Sequence, residues 1–226
     1  MSKFNLGSKV KFKKAKLPSK KKLVGKYTVL EPLNVKKHSK QLYCQYSKDK
    51  KNMIWTYLPY GPFKVYQKFE YWLKIFCLNK DPFFYAIYSK RHKQYCGMAS
   101  YLRIEQNHGS IEVGHINYSP LLQNSLEGTE TMYLMMRNAF ETLGNRRYEW
   151  KCNNLNSASK KAALRLGFKF EGIFRQMFVF KGRSRDSAWF SVIDKEWNKI
   201  KKKYLNFLKS ENFNKNLKQI KKLKLN

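Results

Sequence analysis

The chain has 226 residues, and its 47 lysines and arginines against 15 aspartates and glutamates give a formal net charge of +32. This length fits one large domain or two small ones. Hydrophobic residues make up 42% of the chain and aromatic residues 16%, which is enough to form a buried core and excludes a wholly disordered protein.

The lack of a recognisable targeting signal and the spacing of the cysteines indicate a cytoplasmic protein. The sequence has no run of about 18 apolar residues for a membrane span, and residues 1–22 alternate lysines with isolated apolar residues instead of forming a secretory signal. A mitochondrial presequence stays an alternative, although such peptides favour arginine and serine. The cysteines are widely spaced without a C-x-x-C pair: Cys44, Cys77, Cys96 and Cys152. Neither a disulfide framework nor a bound metal is therefore expected.

Lysines are densest at the two ends of the chain. We predict a basic flexible or loosely docked arm at 1–25, a folded domain at 26–210 and a lysine-rich tail at 211–226. Such charge can attract RNA or ribosomes through counterion release, or it can simply occupy solvated positions. The sequence contains no RNP sequence, helix-turn-helix or zinc finger, which favours solvated positions and leaves only a weak contact with polyanions.

The periodicity of apolar residues predicts one mixed α and β domain. The alternating segments predict strands, and the Tyr57-to-Phe63 segment, with its two prolines, predicts an ordered aromatic loop. Helices are expected where apolar residues recur every three or four positions. The predicted strands are 27–30, 83–88, 95–104, 110–118, 147–152, 168–180 and 187–193, and the predicted helices are 38–46, one with Phe69, Trp72, Leu73 and Phe76 on one face, 130–143, 157–166 and one from 195.

A polar loop at 119–129 joins the strand 110–118 to the helix that starts near Gly128. Unpaired amides and the dipole at a helix N-terminus can bind an anion there. Any connection of this kind also needs polar turn residues, so a purely structural turn is the alternative.

Loop 119–129 resembles the Gln/Arg-x-x-Gly-x-Gly/Ala loop of the GNAT N-acetyltransferases, particularly the RimJ/RimL-type branch. Gln123 takes its first position and Gly128 its last, and Thr129-Glu130 follows as in that branch, whereas Leu126 replaces a glycine. Further segments resemble that branch in the same order: 57–63, 111–114, 147–152, 162–168, 170–176 and 182–186.

The resemblance implies an α+β GNAT fold, in which helices flank a mixed, strongly twisted central sheet whose fourth and fifth strands splay apart. It also implies an enzyme, an N-acetyltransferase that moves the acetyl group of acetyl-coenzyme A directly to a primary amine within a ternary complex. The acceptor would be a protein N-terminus or a small amine, and the high positive charge disfavours polyamines. No membrane partner is expected, and the enzyme would act as a monomer or homodimer.

The same resemblance assigns the coenzyme site. Backbone amides near 116–118 would polarise the thioester, the loop would hold the pyrophosphate, and an asparagine after the fifth strand would contact the coenzyme. The implied coenzyme-binding residues are Ile116, Asn117, Tyr118, Gln123, Asn124, Ser125, Leu126, Glu127, Gly128, Thr129 and Asn156.

Two side chains are candidate catalysts by this resemblance. Glu112 would be the general base, acting through water, unless it is an ordinary solvent-facing carboxylate. Ser159 would protonate the departing thiolate, unless it and Asn156 serve only to start a helix. Arg183 and Arg185 either face the substrate or lie in a solvated turn, and we favour the turn. The competing function is a nucleic-acid or ribosome-binding protein with a catalytically weak GNAT fold.

Overall fold

The computed structural model describes residues 7–215 and 218–225. Eight strands of these described residues form one sheet in the order β1-β2-β3-β4-β5-β6-β8-β7. All neighbouring strands run antiparallel except β5 and β6, which run parallel, so the predicted mixed sheet is confirmed. The strands are β1 Leu23–Val24, β2 Thr28–Pro32, β3 Phe83–Ser89, β4 Gln94–Glu105, β5 Ser110–Tyr118, β6 Arg147–Asn153, β7 Lys169–Phe180 and β8 Arg183–Ile193.

In the described part of the chain, five α-helices flank the sheet. A π-helical turn, Asn138–Thr142, continues the third of them, and short 3₁₀ turns occupy Met53–Trp55 and Ser210–Asn212. In the part of the chain that the structure describes, no helix is long and apolar enough to cross a membrane. The helices are α1 Val35–Tyr46, α2 Tyr66–Phe76, α3 Leu126–Arg137, α4 Ser157–Arg165 and α5 Asp194–Phe207.

The sheet separates two hydrophobic cores. The first core joins α3 and α5 to the sheet through residues such as Met135, Tyr204 and Val113. The second joins α1 and α2 to it through residues such as Leu42 and Trp72. Because side chains alternate along a strand, Ile111 and Val113 of β5 face the first core and Glu112 between them faces the other side.

β5 and β6 splay apart halfway along their length. Their pairing runs from Ser110 with Arg147 to Val113 with Trp150 and then stops. β6 continues beside β8, and β5 continues beside β4, where a bulge at His115 with φ 49° shifts the register. Residues 114–118 therefore have no strand partner on the β6 side. Because β1 was not predicted, β5 and β6 are the fourth and fifth strands of the prediction, and the predicted splay is confirmed.

α3 begins four residues earlier than the apolar periodicity predicts. Ser125 ends the loop in an extended conformation, and its hydroxyl oxygen accepts the amide of Gly128 at 2.9 Å. This N-cap starts the helix at Leu126 instead of Glu130. Leu126 through Thr129 thus form the first helical turn, although the sequence places them in the loop.

Both basic ends contact the domain within the described residues. Ala15 is only 2% exposed, and its amide donates to Gln106 O at 3.0 Å. In the tail, Leu223 and Leu225 are buried in the first core. Apolar residues between the lysines anchor each segment. The described part of the arm, residues 7–25, is thus docked at Ala15, and the three boundaries stay predictions.

Candidate active site

The β5–α3 connection is a tight turn that ends in a capped helix. The Ser125 hydroxyl donates to Leu122 O at 2.7 Å while it accepts the Gly128 amide. The Gln123 side-chain amide donates to Tyr118 O at 3.0 Å, which closes the turn onto the end of β5. Amides in the first turn of a helix have no carbonyl four residues earlier, so this end of α3 presents N–H donors.

Gly128 is required by a close backbone approach. A Cβ atom at this position would lie 2.7 Å from Leu122 O and 3.1 Å from the Tyr118 ring. The Tyr118 hydroxyl also donates to Gly128 O at 3.1 Å. The glycine therefore lets the loop pack directly on the first turn of α3.

The side chains of Leu126 and Glu127 point into the protein. Leu126 belongs to the first core, and the buried Glu127 carboxylate accepts the Ser89 hydroxyl at 3.2 Å. Both guanidinium Nη atoms of Arg165 lie 3.3 Å from the Thr129 hydroxyl oxygen. An arginine that the sequence did not indicate thus stands beside this turn.

A buried carboxylate holds α3 against the edge of the sheet. Glu130 accepts the amides of Lys26, Tyr27 and Thr28 at 2.8, 2.7 and 2.8 Å. Burial raises the pKa of Glu130, and the three amides oppose that effect. The contact fixes the position of the helix that carries the loop.

Asn117 places an unsatisfied amide at the splay. Its side chain is buried, and within the described residues neither its Oδ1 nor its Nδ2 has a hydrogen-bond partner. Its backbone oxygen accepts the Tyr46 hydroxyl at 3.0 Å. A buried polar group without a partner costs about 1–3 kcal/mol, so a ligand that bonds to this amide would recover part of that energy.

α4 starts beside the end of β6. Asn156 caps it, since its Oδ1 accepts the Ser159 amide at 3.0 Å, so the predicted capping contact is present. Ser159 Oγ accepts the indole N–H of Trp150 at 3.0 Å, which leaves the serine hydroxyl hydrogen to be donated to the Cys152 sulfur or to a ligand. Burial raises the pKa of the Cys152 thiol, although Ser159 opposes this, and a neutral buried thiol is a poor nucleophile.

Glu112 is a buried member of a chain of charges. It is 3% exposed, and its Oε2 lies 2.7 Å from Arg103 Nη1 and 2.8 Å from Lys151 Nζ. Lys151 also pairs with Glu149 at 2.7 Å. Burial raises the pKa of Glu112, while Lys151 and Arg103 oppose that effect. The alternative of a solvent-facing carboxylate is therefore wrong.

A histidine and a tyrosine meet at the splayed half of β5. His115 Nδ1 lies 2.9 Å from the Tyr60 hydroxyl, and their rings stack at 5.7 Å. Burial lowers the pKa of His115 to about 4, and Arg103 and Arg185 add to this effect, so the ring is neutral at pH 7. Tyr60 belongs to the predicted aromatic loop, but the sequence offered no local signal for His115.

The residues predicted from sequence fall into three groups along two parallel strands; Glu112 lies in the paired first half of β5, and the other residues lie at or after the carboxyl ends of β5 and β6. β5 runs through Glu112 and residues 116–118 into the loop with Gln123 and Gly128, and β6 runs into the turn with Asn156 and Ser159. The splay lies between these groups. Sequence reasoning missed Arg103 and Lys151, because only strand pairing brings them to Glu112.

The comparisons with known proteins agree with this geometry. The family model of the acetyltransferase (GNAT) domain matches residues 28–169. A GCN5-related N-acetyltransferase from Brucella melitensis is 41% identical, with 93% of this chain and 95% of that chain covered and a TM-score of 0.91. A probable acetyltransferase of the GNAT family from Chromobacterium violaceum is 36% identical, with 88% and 100% covered and a TM-score of 0.80.

More distant structures share the fold alone. The microcin C7 self-immunity acetyltransferase MccE is 19% identical, with 75% of this chain and 93% of that chain covered and a TM-score of 0.66. No curated protein matches the sequence. The match to the family model and the two closer structures establish that this chain belongs to the GNAT acetyltransferase family and is an acyltransferase.

Proposed function

We propose that the enzyme moves the acetyl group of acetyl-coenzyme A directly to a primary amine in a ternary complex. The observation that carries this proposal is the splay between β5 and β6, which leads to the capped N-terminus of α3. MccE, which shares the fold, was solved with acetyl-CoA and AMP. The acceptor is a protein N-terminus or a small amine, and the fold shared with RimL, a ribosomal L7/L12 α-N-protein acetyltransferase at 18% identity, agrees with a RimJ/RimL-type relation.

The residues at the splay fit the coenzyme. The amides of residues 124–127 and the dipole of α3 suit the negative phosphates. The buried amide of Asn117 and the free edge of residues 116–118 suit the polar groups of an extended chain. The Glu127 carboxylate is turned away into the protein, which removes the anion that the sequence places beside the phosphates.

The transfer forms a bond between the amine nitrogen and the acetyl carbon and breaks the carbon–sulfur bond. The amine must lose a proton, and the thiolate must gain one. Glu112 accepts the first proton through water, favoured by the burial that raises its pKa. Ser159 donates the second, because Trp150 occupies only an acceptor position of its hydroxyl.

The coenzyme site is tested by calorimetric titration with acetyl-CoA. The wild type should bind one equivalent, and Gly128→Ala should lower the affinity at least tenfold because its Cβ would lie 2.7 Å from Leu122 O. Gly144→Ala is the control for replacing a glycine as such: its Cβ would lie in open space, and its φ of 76° adds a backbone strain that Gly128→Ala does not have. Absence of binding by the wild type, or equal binding by Gly128→Ala, would refute the assignment.

We also propose a cytoplasmic enzyme whose basic ends make weak contacts with polyanions. All four cysteines are free thiols, as a reducing compartment favours. Lys11, Lys13 and Lys14 are exposed on the docked arm, where they can meet a phosphate backbone. The enzyme acts as a monomer or homodimer. RNA or ribosome binding as the main function is the competing proposal.

A further inference from the structure

Arg185 is a half-buried cation that has no counter-ion among the described residues. Its guanidinium carbon lies 4.8 Å from the ring centre of Phe180 and 5.6 Å from that of Phe178. Its Nε donates to the Ser187 hydroxyl oxygen at 3.2 Å. Within residues 7–215 and 218–225, Arg185 forms no ion pair. A desolvated charge is costly when nothing compensates it, so this arrangement needs an explanation.

The nearby carboxylates are already engaged. In the chain of charges, Arg103, Lys151 and Arg147 alternate with three glutamates, Glu112, Glu149 and Glu171, so that the cations and anions balance. Asp186, the next residue along β8, accepts the backbone amide of Gln176 at 2.7 Å. Arg185 is therefore a surplus positive charge at the end of a neutral chain.

Arg103 brings a second guanidinium to the same ring. Its carbon lies 5.8 Å from the centre of Phe178, and its side chain is 43% exposed. One of its guanidinium nitrogens pairs with Glu112, which leaves the other N–H groups of the guanidinium for a ligand. The Asp81 carboxylate fixes the backbone here, because it accepts the amide of Arg103 at 3.0 Å.

The two arginines lie close to the splayed half of β5. Both act on His115, whose ring stacks on Tyr60 at the place where β5 leaves β6. The phosphate-binding amides at the start of α3 belong to a different part of the site, after the end of β5. An anion at Arg185 would therefore come with the acceptor instead of the coenzyme.

We propose that Arg185, together with Arg103, binds a carboxylate of the acceptor, so that the enzyme prefers amines that also carry a carboxylate. The inference rests on the proposed acetyl transfer to an amine. A planar carboxylate matches the arginine fork and supplies the missing negative charge. Phe178 and Phe180 hold the guanidinium of Arg185 in place, which lowers the entropy lost on binding.

The test compares acceptors that differ only in charge. The pairs are an amino acid and its amide, and amidated tripeptides with Asp or Asn at position one, two or three. Their binding to the protein saturated with coenzyme A is measured by calorimetry, and their acetylation is measured as kcat/KM. Both are repeated for Arg185→Gln and for Arg183→Gln, a control from the same strand whose side chain is exposed.

In at least one pair we expect the carboxylate to bind at least tenfold more tightly than the amide. Arg185→Gln should reduce this preference below threefold, without a loss of thermal stability because it removes an unpaired charge, and Arg183→Gln should keep it. Equal binding within every pair, binding of no acceptor, or a preference that survives Arg185→Gln would overturn the inference. Weaker acetyl-CoA binding by Arg185→Gln would also overturn it and would assign the arginine to a coenzyme phosphate. Failure of the wild type to bind acetyl-CoA would instead refute the proposed function.

Discussion

Replacing Lys151 by methionine is expected to destabilise the fold strongly. The Lys151 side chain is 4% exposed, and its ammonium lies between the carboxylates of Glu112 and Glu149, 2.8 and 2.7 Å away. It also lies 3.8 Å from the ring centre of Trp189. Methionine has a similar apolar stem, so the change removes the charge while most of the packing stays.

The expected loss follows from the two carboxylates that remain. Removing one partner of a buried ion pair costs about 3–5 kcal/mol, because the other charge is left buried. Glu112 keeps Arg103 and Glu149 keeps Arg147, which favours the lower end of this range. For a chain of this length, about 3 kcal/mol corresponds to a fall in Tm of about 10 °C.

The effect should depend on pH in a defined direction. Lys151 lowers the pKa of both Glu112 and Glu149, so in its absence both pKa values are higher in the folded protein than in the wild type. The stability deficit of Lys151→Met is then largest at pH 8 and shrinks toward pH 5, as the carboxylates take up protons. Urea unfolding at the two pH values measures both quantities.

Two further variants separate the ion pairs from general effects of the substitution. Lys169→Met removes an exposed partner of Glu196 and should cost less than about 1 kcal/mol. Adding Glu112→Gln to Lys151→Met should restore part of the lost stability. A deficit below 1 kcal/mol, or one that is equal at pH 5 and pH 8, would refute this account of the buried charges.

Three other predictions concern Ser159, His115 and the arm. Ser159→Ala should lower kcat about a hundredfold and change acetyl-CoA affinity less than twofold; an unchanged kcat would leave the serine a structural role only. Because the pKa of His115 is lowered to about 4, unfolding takes up a proton, and stability should fall as pH decreases from about 6.5 to 4, less steeply in His115→Gln; equal slopes would contradict this. If the arm binds RNA, Lys11, Lys13 and Lys14 replaced by glutamine should reduce the salt slope by about 2; an unchanged slope would exclude these lysines.

The sequence predicted the order of strands and helices well, because each long element repeats its apolar residues with a clear period. β5 has the predicted bounds, Ser110–Tyr118, and α5 buries the predicted Trp197 and Tyr204. The start of α3 was missed because it depends on a serine cap, which a periodicity search does not detect.

The charged part of the site could not be predicted, because it depends on contacts between distant strands. Glu112 and Lys151 meet only through the parallel pairing of β5 with β6. Arg185 packs on Phe178 because the β7–β8 register shifts between Phe174 and Phe178, and the sequence of the hairpin gives no sign of that shift. The favoured solvated turn is wrong for Arg183 and Arg185, because both lie in strand β8 and Arg185 is half-buried.

The sheet that divides the interior into two cores also separates the residues that support the coenzyme loop from those around Tyr60 and His115. The loop that suits the coenzyme starts from the first core, through Leu122 and Leu126, whereas Tyr60 and His115 pack among the aromatic residues of α2, such as Phe76. The sheet therefore lies between the residues of the second core and the residues that hold the loop, so a mutation in the second core need not damage the loop. Directed evolution of Tyr60, Phe178 and their neighbours should therefore yield new acceptor preferences while the same acyl donor is still used.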